Sequence, residues 1–443
     1  MMKLLNWTTM YTEGIKMQIN VKNVAKILDA EVVLDGVSVI AGYNNMGKST
    51  ILKAAYIVLN TFRNLNHKVS IVRKQSIESY FTQLESYFDN SGYVRFPREL
   101  LYTIADHVND YIGVFMNSEK DNYDLFHMII SDSFEEYKEF WPNDMKSDQI
   151  YTDQFLMPMY TKVKEICTRD KESDLKYIGE MYIRNIFKGQ MSSLHRTSLA
   201  KVTIDSEKEH YLMSVRENKI SEMEYSVNSE ADVFYLPAYN LLDAIDRSVL
   251  PRKIYSPEYD IRSALSAEKQ EPTLEEYQET EDNVAIIRNI LEEVLQGKLE
   301  RRPSGSIFFR DESLNDWVSI ANVASGMKNF LIIQTLVERG KLKRNSILLI
   351  DEPETNLHPE WHLKFAEILV LMYKHMGVRS IVNSHSPYFI RALEVKMADH
   401  GIKEKGHYYV MEEAERNLFR VQDVTAETDK IYELLYKPLE YLP

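Results

Sequence analysis

The sequence predicts an α/β fold: a mostly parallel sheet with helices on both faces, an N-terminal antiparallel β lobe and a large helical insertion. Three observations predict it. An apolar run at 346–351 and a strand at 378–383 alternate with helical patterns at 360–376 and 387–399, the order that gives a parallel sheet covered on both sides. Residues 18–41 hold three short runs rich in valine and isoleucine. Residues 63–200 are aromatic-rich, amphipathic and almost free of strand pattern.

Taken in order, QINVKNV (18–24) alternates, and Glu31–Leu34 and Val37–Ala41 read as the next two strands. Thr50–Phe62 reads as a helix whose Ile51, Ala55, Val58 and Phe62 fall on one buried face. The stretches SIESYFTQLESYF, ELLYTIADHVNDYIGVF and KYIGEMYIRNIF are the helices of the insertion, and their tyrosines and methionines are read as core packing. Alternation returns at 201–237 in KVTID, HYLMSV, EYSV and VFYLPA. The polar, acidic residues 256–283 read as a mobile surface loop. A helix at 284–297, a hairpin from SIFFRD to DWVSIANV and a helix at 330–340 precede SILLID, whose continuous apolar run marks a fully buried strand. The tail adds HYYVMEE and LFRVQDV as strands and a short helix. The expected organisation is 1–62, the first part of the α/β head; 63–200, the helical insertion; and 201–443, the rest of the head.

The bulk properties fit a protein with a substantial core: 443 residues, 44% of them hydrophobic. A formal net charge of -14 gives no global attraction for nucleic acid, so a DNA contact would need a local basic patch. The segments RGKLKRN (339–345) and LERRP (299–303) are the candidates, and both are equally well explained as solvated loops. A single cysteine, Cys167, excludes an intramolecular disulfide and a cysteine-rich zinc site. No apolar run nears the roughly 18 residues that would span a bilayer, and the N-terminus lacks a signal core. A cytoplasmic protein is expected, with Met1 or Met17 as the natural start.

Glycine is scarce, yet two of the fifteen stand five residues apart in VSVIAGYNNMGKST. Gly42 through Ser49 fit G-x-x-x-x-G-K-[ST] between a strand and a helix. Gly42 and Gly47 free the backbone around Asn44 and Asn45 to turn its amides toward phosphate oxygens. The helix adds its positive end. Lys48 would neutralise the β- and γ-phosphates of a bound nucleotide, the Ser49 hydroxyl would ligate Mg²⁺, and Thr50 would support the phosphates.

Such a loop needs an acidic partner for the metal. Asp351 stands at the carboxyl end of SILLID, where open α/β sheets bind ligands. Glu352 follows, placed to polarise an attacking water while Asp351 serves the metal. Upstream, Ser325 and Gly326 start a helix, a further anion-binding end. Downstream, a strand ends in Ser384-His385-Ser386-Pro387.

In this order the motifs resemble the ABC-type ATPase heads, a P-loop NTPase fold, and more narrowly the branch with RecF, Rad50, SMC proteins and OLD-family nucleases. DEPETNLHP is similar to the OLD and RecF-like members. The resemblance covers 18–62 and about 300–400. It implies that Ser325 and Gly326 are the signature motif, binding ATP held by a second subunit. Here Ala-Ser-Gly-Met-Lys departs from LSGGQ, with Lys328 in place of glutamine. It further implies that 354–358 touch the opposite subunit and that His385 is the switch histidine near the γ-phosphate. The strand FYLPAYN (234–240) occupies the place of the glutamine loop without supplying a glutamine. ATP-sandwiched heads would form a homodimer or a higher homo-oligomer. The insertion shows no sustained heptads, so a long coiled-coil arm is not expected. The segment after His385 lacks an acidic metal cluster, so neither is a fused nuclease. The chain resembles stand-alone ATPases of bacterial anti-phage operons, PARIS- or Septu-like, which work with a separate nuclease or toxin effector. The alternative is a RecF-like repair ATPase that clamps DNA.

Overall fold

The computed structural model describes residues 16–90, 98–117, 121–136, 153–193, 198–226, 231–246, 254–267, 274–301 and 307–438. The chain begins with β1 (Met17–Val24), β2 (Ile27–Leu34), β3 (Val37–Ala41) and α1 (Lys48–Thr61). Six helices follow: α2 (Leu65–Asn90), α3 (Arg98–Asp110), α4 (Ile112–Phe115), α5 (Tyr123–Glu136), α6 (Asp153–Thr168) and α7 (Lys171–Ile186). Then come β4 (Ala200–Ser206), β5 (His210–Arg216), β6 (Lys219–Tyr225) and β7 (Val233–Leu236), followed by α8 (Leu241–Asp246), α9 (Pro257–Ser266) and α10 (Leu274–Leu295). Next are β8 (Gly297–Arg301), β9 (Ile307–Asp311), β10 (Asp316–Ser319) and α11 (Met327–Glu338). The βαβα run is β11 (Ile347–Asp351), α12 (Pro359–Met376), β12 (Arg379–Ser384) and α13 (Pro387–Asp399). The chain closes with β13 (Gly406–Glu415), β14 (Leu418–Asp423) and α14 (Asp429–Tyr436).

Contacts divide the chain into two compact units, residues up to 63 with those from 179 onward, and residues 64–178. The first is built on one sheet in the order β6-β5-β4-β1-β2-β14-β13-β3-β12-β11-β7. From β13 to β7 the neighbours run parallel. From β6 to β2 they run antiparallel; this lobe joins the N-terminal β1 and β2 to β4–β6 from residues 200–225, while β3 lies in the parallel half. The two halves meet through β14, parallel to β2 and antiparallel to β13. Every residue of β3, β11 and β12 is buried, as strands covered on both faces must be. A small second sheet, β10-β9-β8, stands apart from the first.

The second unit packs helices around Phe81, Ile104, Phe126 and Val163. Within it a buried ion pair joins Arg73 Nε to Asp174 Oδ2 at 2.8 Å, and Arg169 Nε donates to Asp174 Oδ1 at 2.8 Å. Two cations on one carboxylate, with Arg73 also donating to backbone carbonyls, satisfy a charge that burial would otherwise penalise. Cys167 is buried, and that burial pushes its thiol up to about 11.

Two expectations are corrected. The stretch 256–283, read as a mobile loop, carries α9 and the start of α10, while 268–273 lie outside the described residues. Ser256 caps α9 by accepting from the Tyr259 amide, Pro257 takes its first position, and Ile261 and Leu265 bury one face. Flanking charge masks that short apolar pair. The expected hairpin is three-stranded, because the polar run Gly297–Arg301 pairs with β9.

Candidate functional site

Strand register creates the site. β12 lies between β3 and β11, with Ser384 opposite Ala41 and Asn383 opposite Asp351. The carboxyl ends of three parallel strands therefore align, and each hands over to a loop with chemistry: Gly42 onward, Ser384 onward and Asp351 onward. Ligands of open α/β sheets sit at such an edge.

The loop after β3 turns through two left-handed residues, Asn45 (φ 69) and Gly47 (φ 95). Asparagine tolerates this conformation by local hydrogen bonding. Here Lys26 Nζ, from the β1–β2 turn, donates to Asn45 Oδ1 at 2.7 Å. Gly47 has a second reason to be glycine, since a Cβ there would lie 2.7 Å from Ile27 Cδ1. Asn44 is exposed, and Ser49 and Thr50 are half-buried at the first turn of α1. The Tyr43 hydroxyl donates to the Leu434 carbonyl in α14 at 2.5 Å. Lys48 is buried and folds back on the loop, donating to the Gly42 carbonyl at 2.7 Å and that of Tyr43 at 2.9 Å. Burial pushes its pKa down; Glu352, Asp351 and Glu354 act in that order to push it back up. The lysine and the three carboxylates thus share one electrostatic neighbourhood.

Asp351 ends β11 and is buried. Its Oδ1 accepts from Asn383 Nδ2 at 3.0 Å and its Oδ2 from the Tyr235 hydroxyl at 3.3 Å. Burial, and then the neighbouring Asp351, hold the Tyr235 phenol well above its ordinary pKa, so it remains a donor. Glu352 adopts φ 51. A non-glycine residue held there costs about 1–3 kcal/mol, a strain that clusters at functional sites. Its amide donates to the Asn383 carbonyl at 3.0 Å, which fixes the reversal that turns the side chain out of the strand line. His385 Nδ1 lies 3.8 Å from Glu352 Oε1 and 3.5 Å from Glu354 Oε1.

Glu354 differs from its expected place on an outward-facing segment. Its side chain is buried, and Oε1 accepts from Ser384 Oγ at 2.6 Å, the His385 amide at 2.9 Å and the Ser386 amide at 3.2 Å. Exposure begins further on, at Asn356 and His358.

Ser325 and Gly326 form a separate place. Ser325 is exposed, and Gly326 precedes α11, packed so that a Cβ would come 2.5 Å from the Asn356 carbonyl. Asn240 Nδ2 donates to the Ser325 carbonyl at 3.5 Å. Lys328 is buried and pairs with Asp243 Oδ1 at 2.7 Å, so this lysine points into the fold and is not presented at the helix start.

Tyr235, Asn383 and the inward Glu354 were not read as site residues from the sequence. A tyrosine inside an otherwise apolar strand is a usable signal, because its hydroxyl needs a partner when buried. Nothing local marks Asn383, whose role comes from register. Among the described residues no group of three or more acidic, histidine or cysteine side chains forms a metal cage. Mg²⁺ needs none: it keeps several waters and binds through one or two carboxylates with substrate phosphates. Asp351, held by two neutral donors that leave lone pairs free, fits that requirement, with the Ser49 hydroxyl.

No helix among the described residues is long and apolar enough to cross a membrane. No curated protein is similar enough in sequence to match the chain. Solved structures that it resembles include an SMC head bound to the C-terminal winged-helix domain of ScpA, at 12% identity and a TM-score of 0.43, covering 94% of this chain and 99% of that one. The SMC head domain from Thermotoga maritima matches at 12% identity and a TM-score of 0.38, covering 93% and 99%. An Smc head with an extended coiled coil, bound to a ScpA domain derived from Pyrococcus furiosus, matches at 12% and 0.42, covering 96% and 98%. Likenesses this slight carry no residue roles across. The AAA ATPase domain family matches over residues 17–390, from the first strand of the sheet into α13. That span takes in all three aligned strand ends and most of the chain, which therefore belongs to the AAA ATPase domain family.

Proposed function

We propose that the chain binds ATP with Mg²⁺ and hydrolyses it to ADP and phosphate, and that ATP closes two heads into a dimer that opens after hydrolysis. The observation that carries this reading is the alignment of β3, β12 and β11, which gathers Lys48, Asp351, Glu352 and His385 at one edge. Lys48 exchanges the carbonyls of Gly42 and Tyr43 for the outer phosphate oxygens. The loop amides and the start of α1 cradle the remaining phosphate charge. Ser49 and Asp351 would hold Mg²⁺, which would supply positive charge to offset that of the β- and γ-phosphates. Glu352, half-buried and turned out of its strand, polarises the attacking water. His385 sits beside it, in reach of both Glu352 and Glu354. The exposed Ser325, at the start of α11, is the group that would reach nucleotide on a second head.

Phosphate release and size-exclusion chromatography test this together. The wild type should turn over ATP, and Glu352→Gln should bind ATP, hydrolyse it at least about 100-fold more slowly and accumulate as a dimer. A variant that stays monomeric in saturating ATP would refute the switch.

We further propose that the switch holds a separate effector, a nuclease or toxin, in anti-phage defence. The support is the resemblance of the chain to stand-alone defence ATPases, together with the lack of a sustained heptad run and of an acidic metal cluster after His385. A RecF-like clamp would instead make the ATP-closed dimer bind DNA with a steep salt dependence, and that measurement decides between the two.

A further inference from the structure

We propose that Glu354 is a positioning residue: its buried carboxylate sets His385 against Glu352 and ties that pair to the exposed segment that follows. The proposal rests on the ATPase reading and deepens it. Three donors converge on Oε1, and all belong to the turn that carries His385: the Ser384 hydroxyl, the His385 amide and the Ser386 amide. A simple helix cap would look different. Ser386 already caps α13 by accepting from the Phe389 amide, so the helix has its own cap. Glu354 takes the amides at and just before that cap, which fixes where His385 leaves the strand. The start of a 13-residue helix favours an anion there.

Glu354 is held from behind as well. Its carbonyl lies 3.2 Å from His362 Nε2 on α12, and His362 Nδ1 has no partner among the described residues, which places the proton on Nε2 as donor. Its other carboxylate oxygen, Oε2, is buried without a hydrogen-bond partner among the described residues. Two residues on, the Asn356 carbonyl lies against Gly326, at the Ser325 end of α11. Pressure on residues 355–358, such as a second head would apply, therefore has a short, packed route to His385.

The test compares Glu354→Ala, Glu354→Gln and Ser384→Ala in the full chain, reading steady-state kcat and KM for ATP, ATP affinity by calorimetry and thermal melting. Glu354→Ala should lower kcat at least tenfold with ATP affinity within twofold of wild type. Glu354→Gln should recover most of that loss, because an amide oxygen accepts from the same three donors. Ser384→Ala should fall between. A kcat for Glu354→Ala within twofold of wild type overturns the proposal, as does a parallel loss of kcat and affinity that glutamine fails to rescue. If Glu354→Ala does not fold, Ser384→Ala decides: lowered kcat at unchanged affinity supports the assignment, and unchanged kcat overturns it. Absence of turnover in the wild type would instead sink the ATPase reading itself.

Discussion

Replacing Asp243 by asparagine should be among the more damaging single changes in the first unit, and the reason is Lys328. The lysine side chain is 2% exposed and its partner carboxylate 25%, with Nζ 2.7 Å from Oδ1. At an effective dielectric of about 20 the gross attraction at that separation is ~6 kcal/mol, but both charges lost water on folding. Removing one partner of a buried pair costs about 3–5 kcal/mol, because the other is stranded. Asp243 keeps some contact with water, so Asp243→Asn should cost nearer ~2–3 kcal/mol. Lys328→Met should cost about 1 kcal/mol, since the charge left behind can still be solvated and the methionine fills the slot. The double variant should resemble Lys328→Met, giving a coupling of ~2 kcal/mol in a double-mutant cycle. Urea unfolding followed by tryptophan fluorescence measures all four proteins. If Asp243→Asn lies within about 0.5 kcal/mol of wild type, the pair is no better than a surface ion pair and the burial argument fails. The pair bears on function because the Lys328 amide donates to the Ser325 carbonyl at 3.3 Å, one turn from the exposed serine.

Gly47→Ala should weaken ATP binding at least tenfold while costing about 1–2 kcal/mol of stability, because alanine is disfavoured at φ 95 and its methyl would meet Ile27. Calorimetry with ATP checks the first part and thermal melting the second. Chelating divalent cations should weaken ATP binding by about tenfold or more, and Asp351→Asn should shrink that difference. An affinity that chelation leaves unchanged would contradict the place given to Asp351.

The parallel half of the fold was legible because buried parallel strands cannot alternate. SILLID is a nearly continuous apolar run, and the helices that follow β11 and β12 are capped at His358 and Ser386. Lys48, Ser49, Asp351, Glu352 and His385 could be singled out from the sequence because each lies at a strand end, or in or just after the loop that follows one. Their geometry could not. That Asn383 reaches Asp351 depends on β12 lying between β3 and β11, a register no local pattern states. Glu354 was misplaced for a related reason: the sequence shows an acidic residue in a polar loop, while the structure offers it the amides of a turn some thirty residues away. Lys328 reads as a surface residue by type, and its burial follows from Asp243 on a separate short helix.

Three carboxylates face Lys48, and their surroundings assign them different work. Glu354 is saturated on one oxygen by three donors and sits at the start of a helix, so its charge is already spent on structure. Asp351 receives two neutral donors, which orient it without cancelling its charge and leave it free for a cation. Glu352 is the exposed one of the three, with 24% of its side chain open against 4% for Glu354, and its backbone is the strained one. A polyanionic triphosphate approaching this edge meets more negative charge than Lys48 offsets. The loop amides and the end of α1 contribute only about half a charge. On the proposed reading, binding would favour nucleotide that brings a divalent cation with it, with Asp351 as the carboxylate that would receive it. On that same reading, this separation by environment, not by residue type, would let neighbouring acids serve metal, water and scaffold at once.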